Sequence, residues 1–169
     1  MSVRTVALAG NPNTGKTSIF NSLTGSSQHT GNWPGKTVVR REGAFRHDGI
    51  DMLVVDLPGT YSITAISPEE AIARDYLLFG EVDAVVIVID AANLERNLYL
   101  TTQILEIGLP ALVALNMVDV AGRRHEPVDH KALATYLGVS VVPTVARTDE
   151  GIEELRDALA RLNDRAGTR

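Results

Sequence analysis

The stretch "GNPNTGKT", Gly10 to Thr17, constrains this chain more than any other. It follows the apolar, β-forming run Val3 to Ala9 and leads into a helix-compatible segment from about Lys16 to Leu23, stopped near Gly25. The stretch matches G-x-x-x-x-G-K-[ST], a loop whose backbone N–H groups wrap a phosphate where a helix dipole favours an anion. Strand, loop and helix in that order make an ordinary glycine turn the weaker reading. In this reading Gly10, Asn11, Thr14, Gly15 and Ser18 form or flank the phosphate nest, Lys16 bridges the β- and γ-phosphates, and the Thr17 hydroxyl ligates Mg²⁺.

The rest of the chain supplies the sheet that such a loop needs. With 169 residues, 44% hydrophobic and 22% charged, it suits one domain with one core. Residues 1–164 are expected to form that domain, and 165–169 a frayed tail. A net charge of -5 argues against broad nucleic-acid binding, which needs a basic face. Cysteine is absent, so there are no disulfides and no thiolate metal sites. The N-terminus does not read as a signal peptide, and the most apolar stretch, "AVVIVIDAA", falls short of a bilayer span, so the chain is expected to be soluble.

Segments 37–47 and 50–56 are strand-like, joined at a hairpin turn by Asp48-Gly49. Gln28 to Lys36 has turn residues without periodicity and reads as a long surface loop. Ser67, Pro68 and Glu70 supply the N-cap, first residue and capping-box partner of a helix running to about Phe79. Further strands are expected at 83–90, 111–116 and 139–146, and helices at 94–107, 129–138 and from Ile152 onward. The pattern predicts a six-stranded, mostly parallel sheet with one antiparallel edge strand and helices on both faces. Ligands of such sheets bind at the carboxyl ends of the strands.

Three more loops fall at that edge. Asp56-Leu57-Pro58-Gly59 follows a strand; Asp56 can hold an Mg²⁺-bound water, and the Gly59 N–H can reach a γ-phosphate. In "NMVD", Asn116 can tie its loop to the phosphate loop. The Asp119 carboxylate can accept from both N1–H and N2–H₂ of guanine, a pair that adenine lacks. Met117 stands where many GTPases carry lysine, and its thioether chain can cover the base. Val145-Ala146 stands where Ser-Ala is usual; the Ala146 N–H can meet guanine O6, while the missing serine hydroxyl is expected to loosen the loop. Thr37 can ligate Mg²⁺ or simply begin a strand, and the residues alone favour neither.

Many Ras-like GTPases place glutamine after D-x-x-G to orient the attacking water. Here Thr60 is too short for that role, so slow intrinsic hydrolysis is expected. The Asn13 side-chain carbonyl is a neutral oxygen ligand, suited to a monovalent cation beside the phosphates. K⁺ there would put positive charge where an arginine finger otherwise acts. The alternative is that Asn13 merely holds the loop turn. The expected catalytic set is therefore Lys16, Asn13, Thr37 and Gly59.

With these loops placed, "GNWPGKTV", "DLPGTYS", "PEEAIARDYLL", "DAANLERNLYLTTQ" and "ALNMVDVA" resemble the N-terminal G domain of the FeoB family of prokaryotic ferrous-iron transporters, over nearly all of residues 3 to 163. The resemblance implies a Ras-like P-loop GTPase fold, GTP and GDP as substrate and product, Mg²⁺, and K⁺ as activator. By the same carry-over Thr37 becomes the switch-one magnesium ligand and Asn13 the potassium ligand. It also implies partners: a helical and a transmembrane domain beyond residue 169, which would place the full protein's G domain at the cytoplasmic face of the bacterial inner membrane. The chain would then be a piece of a longer protein or an isolated regulatory domain. Competing readings are a nucleotide-occupancy switch with negligible turnover alone, a ribosome- or tRNA-associated GTPase, which the acidic charge disfavours, and an ATPase. His29, His47, His125 and His130 have no ligand spacing among them, so the sequence gives an iron site no support. Arg40-Arg41 and Arg123-Arg124 read as solvated pairs, Tyr61 and Tyr76 as packing residues. Trp33 reads as an exposed anchor or a cover over the nucleotide.

Overall fold

The structure, a computed structural model, describes residues 3–162; the tail expected at 165–169 lies outside the described residues. Strands β1 (Arg4–Gly10), β2 (Gln28–Asn32), β3 (Val39–His47), β4 (Ile50–Asp56), β5 (Ala84–Asp90), β6 (Ala111–Asn116) and β7 (Ser140–Pro143) form one sheet. Its order is β2-β3-β4-β1-β5-β6-β7. The five strands from β4 to β7 pair in parallel, whereas β3 pairs antiparallel with β4, and β2 with β3. The helices are α1 (Lys16–Thr24), α2 (Pro68–Phe79), α3 (Leu94–Glu106), α4 (Val118–Arg123), α5 (His130–Leu137) and α6 (Ile152–Arg161).

The period-two alternation of each strand sorts its side chains between two cores. In β1, Val6 and Leu8 join Ile19, Phe20 and Leu23 of α1 and Leu155 and Leu159 of α6. Ala7 and Ala9 face the opposite core, with Ile72 and Leu77 of α2 and Leu100 and Ile104 of α3. Strand β5 is buried throughout and divides in the same way, which is why its sequence is apolar without a break.

One strand more than expected is present. The segment read as a loop contains β2, whose five residues are all exposed and which pairs Gln28 to Gly43 through Asn32 to Val39. Its composition carried no strand signal because an edge strand with both faces in water needs no apolar period. What holds it is the open edge of β3. The Asp48-Gly49 turn forms as expected, both residues at positive φ (50° and 78°), as the tight hairpin requires. Ser67 caps α2, its side chain accepting from the Glu70 N–H at 3.1 Å. The Glu70 carboxylate accepts from the Ile66 N–H and the Thr64 hydroxyl instead of closing the box on Ser67.

Candidate nucleotide-binding site

The carboxyl ends of β1, β4 and β6 carry three of the four loops singled out from the sequence, and the Val145-Ala146 loop follows β7. Gly10 ends β1, Asp56 ends β4 and Asn116 ends β6. Parallel pairing in register, with Leu8 beside Asp56 and Gly10 beside Val88, brings these ends to one edge. Asn11, Asn13, Gly15, Lys16, Thr17 and Gly59 line one cleft there. Gly15, Ser18, Asn116, Met117, Asp119 and Ala146 line a second. The two clefts share Gly15. Its φ is +83°, and a Cβ at this position would lie 2.1 Å from Asn116 Nδ2, so both backbone shape and space require glycine.

The second cleft is tied together by one side chain. Asn116 is buried, and its side-chain amide donates to the Thr14 carbonyl at 2.9 Å. Its carbonyl Oδ1 accepts from the Thr144 hydroxyl and the Ala146 N–H, both at 3.0 Å. One carboxamide thus joins the phosphate loop, β7 and the 146 loop. Thr144, buried and central to this junction, went unnoticed in the sequence, where a lone threonine after a strand has no distinguishing spacing. The Ala146 N–H, expected to face guanine O6, here donates to Asn116 Oδ1. Asp119 Oδ2 accepts from Arg123 at 3.2 Å and Arg147 at 3.4 Å, so Arg123 is paired rather than merely solvated. The loop that Val145 was expected to loosen is closed by paired backbone bonds between Val145 and Glu150, at 2.9 and 3.2 Å, and Val145 itself is buried.

The phosphate-facing cleft is arranged differently. The Lys16 ammonium, expected on phosphate oxygens, pairs with Asp56 and donates to the Leu57 carbonyl at 2.7 Å. The cation and the expected magnesium-water holder therefore meet across the loop, each being the nearest opposite charge. Asn13 is exposed at φ 64°, and no hydrogen bond of its side chain occurs among the described residues, so the turn does not depend on an Asx bond. Asn11, by contrast, is buried; its amide donates to the Arg96 carbonyl and its Oδ1 has no partner. Thr60 is buried, and its N–H donates to the Gly10 carbonyl at 3.2 Å.

Thr37 does not reach either cleft. It is exposed, in the connection between β2 and β3. The pairing of Asn32 with Val39 zips the flanking segments into the sheet edge, so Thr37 stands near the tip of a hairpin. Trp33 is neither exposed nor over the clefts. It is buried, edge-on to Tyr76 of α2 with ring centroids 5.4 Å apart, and the Arg40 guanidinium lies 4.7 Å from its ring. Burial pushes the Tyr76 phenol up, and the Arg40 charge opposes this. Tyr76 is thus a packing residue, as expected; Tyr61 is half exposed beneath Arg96.

Comparison with known proteins fits this geometry. A family model described as Ferrous iron transport protein B matches residues 4–159. The chain is 52% identical over 163 residues to the Fe(2+) transporter FeoB of Salmonella typhimurium, covering 94% of this chain and 21% of that protein. The chain thus spans about a fifth of the length of such curated relatives. Among solved structures, the G domain of the T. maritima FeoB iron transporter superposes with a TM-score of 0.88 at 45% identity, covering 94% of this chain and 98% of that one. The T. maritima cytosolic domain in its GMPPNP form gives 0.90 at 46% identity, over 94% of this chain and 63% of that one. A glycine loop joined to the Asn116–Asp119 loop through the Asn116 side chain, on a sheet matched along nearly its whole length by G domains of the family, places the chain in the FeoB family as its G domain.

Proposed function

We propose that this chain binds guanine nucleotides with Mg²⁺ and slowly hydrolyses GTP to GDP and phosphate. The observation that carries the reading is the Asn116 junction: it fixes the distance between a phosphate nest and an aspartate that can read guanine. Asp119 accepts the guanine N1–H and N2–H₂, exchanging its Oδ2 contacts with Arg123 and Arg147 for the base. Met117, at φ 62° beside Gly15, lays its thioether along the base plane. Lys16 leaves Asp56 for the β- and γ-phosphate oxygens, and the amides of Asn13 to Thr17 receive the remaining charge.

The magnesium ligand set is all oxygen: the Thr17 hydroxyl, a water held by Asp56 and, once the switch segment folds inward, Thr37. Hard oxygen donors suit Mg²⁺, which when bound neutralises phosphate charge. Asn13 offers its unengaged carbonyl to K⁺, which would supply positive charge at the transferring phosphate. The Gly59 N–H contacts the γ-phosphate. Thr60, at the position of the missing glutamine, is buried with its amide tied to Gly10, and this favours the second reading, a nucleotide-occupancy switch that turns over little without partners. In the longer proteins of the family, the switch loops would couple nucleotide state to Fe(II) uptake at the cytoplasmic face of the inner membrane, through helical and transmembrane domains. Within the described residues no helix is long and apolar enough to cross a membrane.

Calorimetry with Mg²⁺ should show saturable heat for GDP and GTP and none for ADP at equal concentration. Comparable binding of ADP would overturn the base assignment. Multiple-turnover hydrolysis should run faster in K⁺ than in Na⁺. Equal rates would remove Asn13 as a cation ligand, and no turnover in either salt would leave the occupancy switch.

A further inference from the structure

The β3–β4 hairpin turn lies at the end of the sheet opposite the nucleotide clefts. Ile50 begins β4 and Asp56 ends it, so the two ends are about 20 Å apart at the rise of an extended strand. At this turn His47 and Asp48 meet α6. His47 Nε2 lies 2.7 Å from Asp157 Oδ1 and 3.7 Å from Asp48 Oδ2. On the other side of the ring, His47 Nδ1 lies 3.7 Å from Glu153 Oε1. Residues 153 and 157 are one turn apart on α6, so both carboxylates project toward the same imidazole.

We propose that His47, Asp48 and Asp157 form a binding site for a divalent first-row transition-metal ion, with Glu153 positioning the His47 ring. The imidazole Nε2 and one oxygen from each carboxylate all lie within 4.8 Å of one another, so one ion can touch all three. One nitrogen and two oxygens make a donor set that suits Mn, Fe, Co or Zn in the divalent state rather than a hard all-oxygen ion such as Mg²⁺. The charges also match. Among the described residues, the ion pairs of Asp48 and Asp157 are with His47 alone, so at most one imidazolium faces two carboxylates. A divalent ion beside a neutral imidazole balances both.

Glu153 lies behind Nδ1 at ion-pair distance, on the side from which a carboxylate can fix the tautomer and orientation of a metal-ligating imidazole. Glu153 is itself held by Arg156 at 3.0 Å, and Arg156 donates to the Ser22 carbonyl, so the orienting group is anchored to α1. In the absence of metal, the Asp157 hydrogen bond holds the imidazole above its usual pKa, partial burial opposes it, and Asp48 and Glu153 add smaller upward pushes. The side chain of Asp48 is 68% exposed, which gives the ion a path in and leaves room for water to complete its shell. Bound there, the ion would clamp the strand pair that follows the switch segment to the helix that follows the Ala146 loop.

The test titrates the nucleotide-free chain with Co²⁺ and Mn²⁺. We expect one equivalent of Co²⁺ to bind with visible d–d absorption. Mn²⁺ should broaden the His47 ring resonances while leaving those of His29, His125 and His130 sharp. Affinity should fall by at least about tenfold in Asp48→Asn and Asp157→Asn, and by roughly tenfold in Glu153→Gln, with the circular dichroism and GDP affinity of each unchanged. Absorption that survives His47→Gln would place the ion elsewhere and overturn the proposal. So would the lack of any saturable binding, which would leave His47 as an ion pair pinning the hairpin to α6. If His47→Gln does not fold, Asp48→Asn at the exposed turn decides alone: unchanged Co²⁺ affinity in that variant is equally fatal.

Discussion

The two halves of the nucleotide site are built in opposite ways. On one side Asn116, Thr144 and Ala146 are buried, the latter two both donating to Asn116 Oδ1, and the Val145–Glu150 bridge closes the loop behind them. On the switch side, Thr37 stands exposed at a hairpin tip and β2 buries none of its five residues. The Asn116 cleft is held by the protein's own hydrogen bonds and is therefore largely preformed. The switch is held by an edge pairing and one aromatic latch, Trp33 against Tyr76. Such sparse bonding is what the local rearrangement of a segment requires.

The sharpest way to break this contrast is Asp119→Asn. Losing two charge-assisted hydrogen bonds should weaken GDP binding by about 3–6 kcal/mol, or about 10²- to 10⁴-fold. Xanthosine diphosphate, with a C2 carbonyl that can accept from the new amide, should recover much of the loss. Calorimetry with both nucleotides checks this, and a variant that binds GDP normally would show that Asp119 does not touch the base.

Asn116→Ala comes next. It leaves the Thr14 carbonyl, the Thr144 hydroxyl and the Ala146 N–H without their buried partner, and stability should fall by about 2–4 kcal/mol. Urea unfolding measures it; a loss near zero would mean that the junction is not what makes this half rigid.

Thr37→Ala sharpens the other side. Because Thr37 lines neither cleft, GDP affinity should stay at the wild-type value, whereas GTP hydrolysis should fall by at least about tenfold. Equal effects on GDP binding and on turnover would mean that the switch segment is seated in both nucleotide states.

The smallest effect concerns the latch. The Tyr76 phenol is raised above its ordinary value of 10.0, chiefly by burial. A raised group contributes stability that is fully present below the unfolded value and is lost as pH rises through the folded one. Stability should therefore decline above pH 10 more steeply in wild type than in Tyr76→Phe, as melting temperatures at matched pH would show. Parallel curves would mean that Tyr76 ionises as it does in the unfolded chain.

Much of the site was legible before any coordinates. The phosphate loop, Asp56-Leu57-Pro58-Gly59 and Asn116 to Asp119 are short segments whose chemistry depends on contiguous residues, and strand periodicity alone predicts that they share an edge. The Ser67 cap and the Asp48-Gly49 turn were legible for the same reason, since each is decided within four residues. What escaped was non-local. Nothing near Gln28 announces a strand, because β2 exists only where β3 leaves its edge open. Thr144 matters only because Asn116 reaches it, and Arg147 only because α4 presents Asp119 to it. Trp33 reads as an exposed anchor or a cover over the nucleotide, because its burial depends on Tyr76 of α2, distant in the chain.

The sequence by itself determined the alternation of strands and helices and the strand, glycine loop and helix around Gly15, because local backbone preference and residue chemistry suffice for these. Only the tertiary structure decided that Lys16 pairs with Asp56, that Asn116 binds three segments together, and that a histidine without ligand spacing meets two acidic residues of α6 more than a hundred positions away. Such contacts follow from which elements pack side by side. That choice is made by burial of the whole core, and no short stretch of the chain records it.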